Sequence, residues 1–107
     1  MKNREKLVSV IVGSYNSEKT LEKSINSLIN QTYENIEILI VDDYSADKSN
    51  IILKTLQKKT NKINLYRNSE NIGLTRSLNK LIKLSNGELI ARHDADDYSD
   101  PQRIAKQ

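Results

Sequence analysis

Two stretches of this chain, Leu7-Val8-Ser9-Val10-Ile11-Val12 and Ile36-Glu37-Ile38-Leu39-Ile40-Val41, are nearly continuous apolar runs of strand length, rich in β-branched residues. Such runs suit strands covered on both faces, as in a parallel sheet. Two weaker runs follow, Ile63-Asn64-Leu65-Tyr66 and Glu88-Leu89-Ile90-Ala91. Helix-period segments lie between the runs. Leu21, Ile25, Leu28 and Ile29 fall at i, i+4, i+7 and i+8, and Leu74, Leu78, Leu81 and Ile82 repeat that spacing. Ile52, Leu53 and Leu56 make a weaker face. Asn86-Gly87 reads as the stop of the third helix, and Asp100-Pro101 as the cap and first residue of a fourth. The order β-α-β-α-β-α-β-(α) predicts an α/β fold: a mostly parallel sheet with helices on both faces.

The 107 residues suit one domain, expected to span positions 1–107. There is no cysteine and a single histidine, His93, so thiolate and multi-histidine metal sites are excluded within one chain. Any metal must be held mainly by oxygen. No apolar run approaches the ~20 residues that span a bilayer. The charged start Met1–Lys6 leads into an apolar stretch too short and broken for a signal sequence. A cytoplasmic location is expected, with peripheral contact to the inner face of the membrane left open. The net charge of +3 is modest and the lysines are dispersed, so no nucleic-acid partner is expected.

In open α/β sheets, ligands bind beyond the carboxyl ends of the strands. Gly13-Ser14-Tyr15-Asn16 follows the first run, Asp42-Asp43-Tyr44-Ser45 the second, Arg67-Asn68-Ser69-Glu70-Asn71 the third, and His93-Asp94-Ala95-Asp96-Asp97 the fourth. Every strand therefore ends in ligand-capable residues on one sheet edge. The last segment packs three carboxylates into four residues. Like charges this close repel, and a bound cation removes the repulsion. Each segment also has a structural alternative. Asp42-Asp43 would suit the cap of the second helix, and Asn16-Ser17 that of the first. Tyr15 would suit a packed aromatic, Arg76 a solvated helix residue, His93 a hydrogen-bonded structural residue, and Asp94–Asp97 an acidic surface turn. Gly13, Gly73 and Gly87 form neither a G-x-G-x-x-G fingerprint nor a P-loop.

The segments VSVIVGSYN (8–16), SINSLINQTYENIEILIVDDYSAD (24–47), NIGLTRSLNK (71–80) and NGELIARHDADD (86–97) together resemble the family-2 glycosyltransferases, in order and spacing. The resemblance implies a Rossmann-like sheet of GT-A type and a nucleotide-diphosphate sugar donor, with a UDP-sugar foremost. It implies that Tyr15 stacks on the base, flanked by Ser14 and Asn16, and that Asp43 contacts the base edge. Asp94 would contact ribose and sugar, Asp96 and Asp97 would hold Mn2+ or Mg2+, and Arg76 would position the donor. The acceptor would be a saccharide or a lipid-linked group, in cell-surface polysaccharide synthesis. Family members continue into an acceptor-binding half carrying an acidic catalytic base, expected downstream of Gln107. The chain alone is thus expected to bind donor without efficient transfer, and an exposed sheet edge leaves self-association open. Gly13, where the family often has proline, is expected to loosen the backbone. Two other readings of the acids remain at this point: a metal-dependent nucleotidyltransferase, and a non-catalytic nucleotide-binding or assembly module.

Overall fold

The structure, a computed structural model, describes residues 6–106; the charged start at 1–5 and Gln107, the end of the expected domain, lie outside them. Eight elements alternate: β1 (Val8–Ser14), α1 (Leu21–Ile29), β2 (Ile36–Asp42), α2 (Ser49–Gln57), β3 (Ile63–Arg67), α3 (Leu74–Leu84), β4 (Leu89–Arg92) and α4 (Arg103–Lys106). The strands pair in parallel, in the order β3-β2-β1-β4. This is the α/β architecture that the alternating pattern predicts.

The pleat sorts each strand into two faces. Val8, Val10 and Val12 join Ile36, Ile38 and Ile40 under Leu21, Ile25 and Leu28 of α1 and Leu53 and Leu56 of α2. Ile11, Leu39 and Val41 point the other way, against Leu78 and Leu81 of α3. Both faces of β1 and β2 are therefore covered, which is why their sequences read as continuous apolar runs. Each fully buried Leu, Ile or Val contributes about 1.5–3 kcal/mol of transfer free energy. The third helix is covered less completely than its periodicity suggests. Leu74 and Ile82 are exposed at the rims of its apolar face.

Several local readings change. β1 runs on through Gly13 and Ser14, and β2 through Asp42, so these residues close strands instead of opening loops. Gly13 has ordinary strand geometry. A Cβ there would stand 2.6 Å from Cδ1 of Leu74, the far end of an exposed side chain, so a larger residue would displace that leucine. Gly87 is no left-handed helix stop, since α3 ends at Leu84 with an extended Ser85. Its own role is close approach: a Cβ would meet Oγ of Ser9 at 2.4 Å and the backbone nitrogen of Ser9 at 2.6 Å. The Asp100 carboxylate accepts the N–H of Gln102 at 2.9 Å, and α4 begins at Arg103, after a turn through Pro101.

Sheet order fixes where a ligand belongs. The chain steps outward from β1 to β2 to β3, then returns to lay β4 on the other side of β1. The segments after β1 and β4 pack together on the α1 face, the start of α3 lies on the other, and a crevice opens between them at the carboxyl edge.

Candidate functional site

Registry places Ser14, Asp42 and Arg67 in one row at that edge. The N–H of Asp43 donates to the Ser14 carbonyl at 2.8 Å, and that of Asn68 to the Asp42 carbonyl at 2.9 Å. Neither acid caps α2. Asp42 is fully buried, and its carboxylate accepts bonds from the Ser45 N–H and Arg67 Nε, both at 3.2 Å, and from the Ser45 hydroxyl. Asp43 is also buried and turns toward α3. Its Oδ1 accepts Asn68 Nδ2 at 2.8 Å and the Ile72 N–H at 2.9 Å; its Oδ2 accepts the Gly73 N–H at 2.9 Å. Burial raises its pKa, but these bonds outweigh burial and hold the carboxyl below the usual carboxylate range. Asn68 is anchored in turn by Lys80 Nζ, which donates to its Oδ1 at 2.9 Å.

Across the edge, Asn16 takes a left-handed backbone, φ 48°, which asparagine tolerates better than most residues. Its N–H donates to Ser45 Oγ at 2.9 Å, and its Oδ1 accepts the Ala46 N–H at 2.8 Å. Ser17 donates its N–H to Ser49 Oγ at 2.8 Å. Asn16 and Ser17 therefore lace the β1 loop to the β2 loop; the residue at the α1 cap position is Thr20, without a side-chain cap bond. This lacing leaves Tyr15 53% exposed, not packed in the core. Ser14 is buried, and its hydroxyl has no hydrogen-bond partner among the described residues.

The acidic turn behaves differently. Carboxylate oxygens of Asp94, Asp96 and Asp97 all lie within 4.8 Å of one another, and Asp96 and Asp97 are exposed. Arg92 Nε pairs with Asp94 at 3.1 Å. The turn closes on itself: the Asp97 N–H donates to the Asp94 carbonyl at 3.0 Å, and the Asp94 N–H to Asp97 Oδ2 at 3.3 Å. Its backbone is tied to α1. Thr20 Oγ1 donates to the Ala95 carbonyl and Ser24 Oγ to the Asp94 carbonyl, each at 3.0 Å. Further along α1, Ser27 Oγ accepts the Ser99 N–H at 3.0 Å, and Gln31 bonds the Asp100 carbonyl at 2.7 Å and the Ile104 N–H at 3.0 Å. His93 is buried as a structural residue between Ser24 and Ser99; burial, then the nearby Arg103 charge, lower its pKa.

Sequence reasoning passed over this polar row. Thr20, Ser24, Ser27 and Gln31 recur at helix spacing beside the apolar row of α1. That period was the available signal.

Tyr15, Asn16, Asp43, Asp94 and Asp96 line one open cleft of about 900 Å3, together with Ser14. Asp97 and Arg76, the latter exposed on α3, are not among the lining residues. The cleft joins an exposed aromatic, a buried anionic acceptor and a cluster of oxygen donors, a set suited to a nucleotide and a hard cation. Residues 9–107 match the sequence profile of Glycosyl transferase family 2.

The chain belongs to this glycosyltransferase family. It is 41% identical over 91 residues to the Escherichia coli UDP-Glc:alpha-D-GlcNAc-diphosphoundecaprenol beta-1,3-glucosyltransferase WfgD, covering 85% of this chain and 35% of that protein. Its fold matches S. aureus TarS 1-349 in complex with UDP, with a TM-score of 0.86 and 30% identity over 92% of this chain and 30% of that one. It also matches the mannosyltransferase PcManGT from Pyrobaculum calidifontis in complex with GDP-Man and Mn2+, with a TM-score of 0.83 and 25% identity over the same shares. The fold is thus GT-A, as the resemblance implies. The chain spans about a third of the length of the curated relatives it matches. Among the described residues, no helix is long and apolar enough to cross a membrane.

Proposed function

We propose that this chain is the donor-binding portion of a glycosyltransferase, forming one domain that grips a nucleotide-diphosphate sugar through a divalent cation. The observation that carries this reading is the meeting of Tyr15, Asp43, Asp94 and Asp96 in one cleft. The exposed Tyr15 ring offers a stacking face for the base, an interaction worth about 1–3 kcal/mol. Asp43 stays ionised and has three protein N–H donors, two on Oδ1 and one on Oδ2. The Ser77 hydroxyl is a fourth donor to this carboxylate, so a base N–H would be received by sharing one of its about four acceptor positions. A uracil supplies an N–H at its ring imide and a cytosine one at its exocyclic amine, so the carboxylate alone does not choose between them. The preference for uracil rests on the UDP held in the TarS complex.

The acidic turn fits Mn2+ or Mg2+ in kind: three carboxylates within reach of one ion, all oxygen ligands, with no soft donor beside them. Asp96 and Asp97 would hold the ion, and Asp94 the ribose and sugar. Such an ion supplies Lewis-acid stabilisation of the charge that builds on the departing diphosphate. A neighbour holding GDP-Man and Mn2+ supports the same pairing of donor and cation. Tyr15 and Asp43 fix the nucleoside, while the tied-back turn presents its carboxylates toward the other end of the cleft. Ser14 lines the cleft with a buried hydroxyl that has no partner among the described residues, and Arg76 would position the donor from the first turn of α3. A saccharide or lipid-linked acceptor fits the reading, since the WfgD name specifies a diphosphoundecaprenol acceptor. The general base and acceptor cleft would lie in sequence beyond this chain. A cytoplasmic site beside the membrane would suit a lipid-linked acceptor.

Calorimetric titration tests the reading. UDP should bind in Mn2+, bind at least tenfold more weakly in EDTA, and outcompete CDP. Equal binding of UDP and CDP, unchanged by EDTA, would overturn it.

A further inference from the structure

The hydrogen bonds around His93 admit one assignment of protons that satisfies every contact, and it runs in a single direction. Arg103 can only donate, and its Nη1 reaches Ser99 Oγ at 3.0 Å. The Asp94 carbonyl can only accept, and it lies 3.0 Å from Ser24 Oγ. His93 stands between the two serines, with Nδ1 2.8 Å from Ser99 Oγ and Nε2 2.8 Å from Ser24 Oγ. The Ser24 hydroxyl has one proton, which goes to the carbonyl; Ser24 must then accept from Nε2–H. Ser99 accepts from Arg103, so its proton goes to Nδ1.

The alternatives each strand a group. With the proton on Nδ1, Ser99 would accept twice and its own hydrogen would have no acceptor among the described residues, while Ser24 would turn from the carbonyl to Nε2. The imidazolium strands the same hydrogen and places a buried charge near Arg103. Burial already disfavours the charged ring.

We propose that Arg103, Ser99, His93 and Ser24 form a one-way relay that locks His93 as the neutral Nε2–H tautomer and holds the Asp94 carbonyl, making His93 a positioning residue for the cation-binding turn. Chained hydrogen bonds of one sense polarise each other and stiffen the whole. The relay runs from α4 through the segment after β4 to α1, so it sets the turn between two helices. The function inferred here rests on the reading of Asp96 and Asp97 as cation ligands; the tautomer does not.

His93 is the only histidine, so its ring nitrogens are assigned without mutation. A long-range 1H–15N correlation spectrum of the ligand-free chain at neutral pH should show Nε2 protonated and Nδ1 bare. An Nδ1–H ring, an averaged pair or an imidazolium would overturn the relay. Mn2+ binding in the presence of UDP then tests its role. Ser99→Ala and His93→Leu should each weaken Mn2+ about tenfold. His93→Gln, which keeps a donor and an acceptor, should recover most of that loss. Thermal unfolding of each variant identifies any that fail to fold, and Ser99→Ala is the milder change. Wild-type chain that binds no Mn2+ with UDP refutes the cation reading and the positioning role together, while the spectrum still decides the relay. Wild type that binds Mn2+, with both variants matching it, refutes the positioning role alone.

Discussion

Asp43 and the Asp94–Asp97 turn stand at opposite sides of one cleft and carry charge in opposite ways. Asp43 is buried, and the protein itself supplies its compensation through Asn68, Ile72 and Gly73. The turn gathers three carboxylates within 4.8 Å and receives one arginine, Arg92, bound to Asp94. The first acid is a finished acceptor whose orientation is part of the fold. The second group has exposed members, Asp96 and Asp97, and on the proposed reading a cation from outside the chain completes it. The contrast predicts that one side of the cleft matters to stability and the other to ligands.

The largest expected effect breaks the folded side. Asp43→Ala leaves two backbone N–H groups and the Asn68 amide without their acceptor, which should cost about 3 kcal/mol in chemical denaturation. Asp96→Ala should change stability by no more than about 0.5 kcal/mol, because its side chain is solvated. Comparable losses for the two would erase the distinction. Next comes Tyr15→Ala, expected to weaken UDP binding about thirtyfold while leaving the melting temperature unchanged, as removal of a stacking face requires. Asp96→Asn should lower Mn2+ affinity about tenfold in a titration with UDP present, since one ligand charge is lost.

The smallest effect is acid sensitivity. The folded pKa of Asp43 lies below its ordinary value, so at low pH the unfolded chain takes up the proton first. Its contribution is full above the usual carboxylate range, near pH 4 and higher, and is lost as pH falls through the lowered folded value. Asp43→Asn should therefore flatten part of the stability–pH slope in that acid window, read by urea denaturation at stepped pH.

The two regions were not equally legible. β1 and β2 declared themselves because burial on both faces removes polar residues from them. The acidic turn was legible for the opposite reason: three neighbouring charges need an explanation wherever they sit. Asp43 was located by its place after a strand, but its partners come from Asn68, Ile72 and Gly73, a loop away in space and far in sequence, and no local pattern encodes them. Asn16 read as a cap because its residue type suits one; its left-handed backbone instead turns it toward the β2 loop. Gly87 read as a helix stop, whereas Ser9 passing close by is what requires it. The serines of α1 were passed over because hydroxyls carry no charge to account for, and only the folded chain brings Ser24 and Ser27 against residues 93–99. β4 shows Leu89 at 49% and Ile90 at 46% exposure, consistent with the weaker apolar run seen there.

The most direct measurement follows backbone amide signals of 15N-labelled chain while Mn2+ is added substoichiometrically in the presence of UDP. The paramagnetic ion should erase the signals of residues 94–97 first and then those of Tyr15 and Asn16 across the cleft, while Mg2+ with UDP shifts Tyr15 and Asp43 without broadening them. Broadening centred elsewhere, or an acidic turn that Mn2+ leaves untouched, would contradict a shared site for cation and nucleotide.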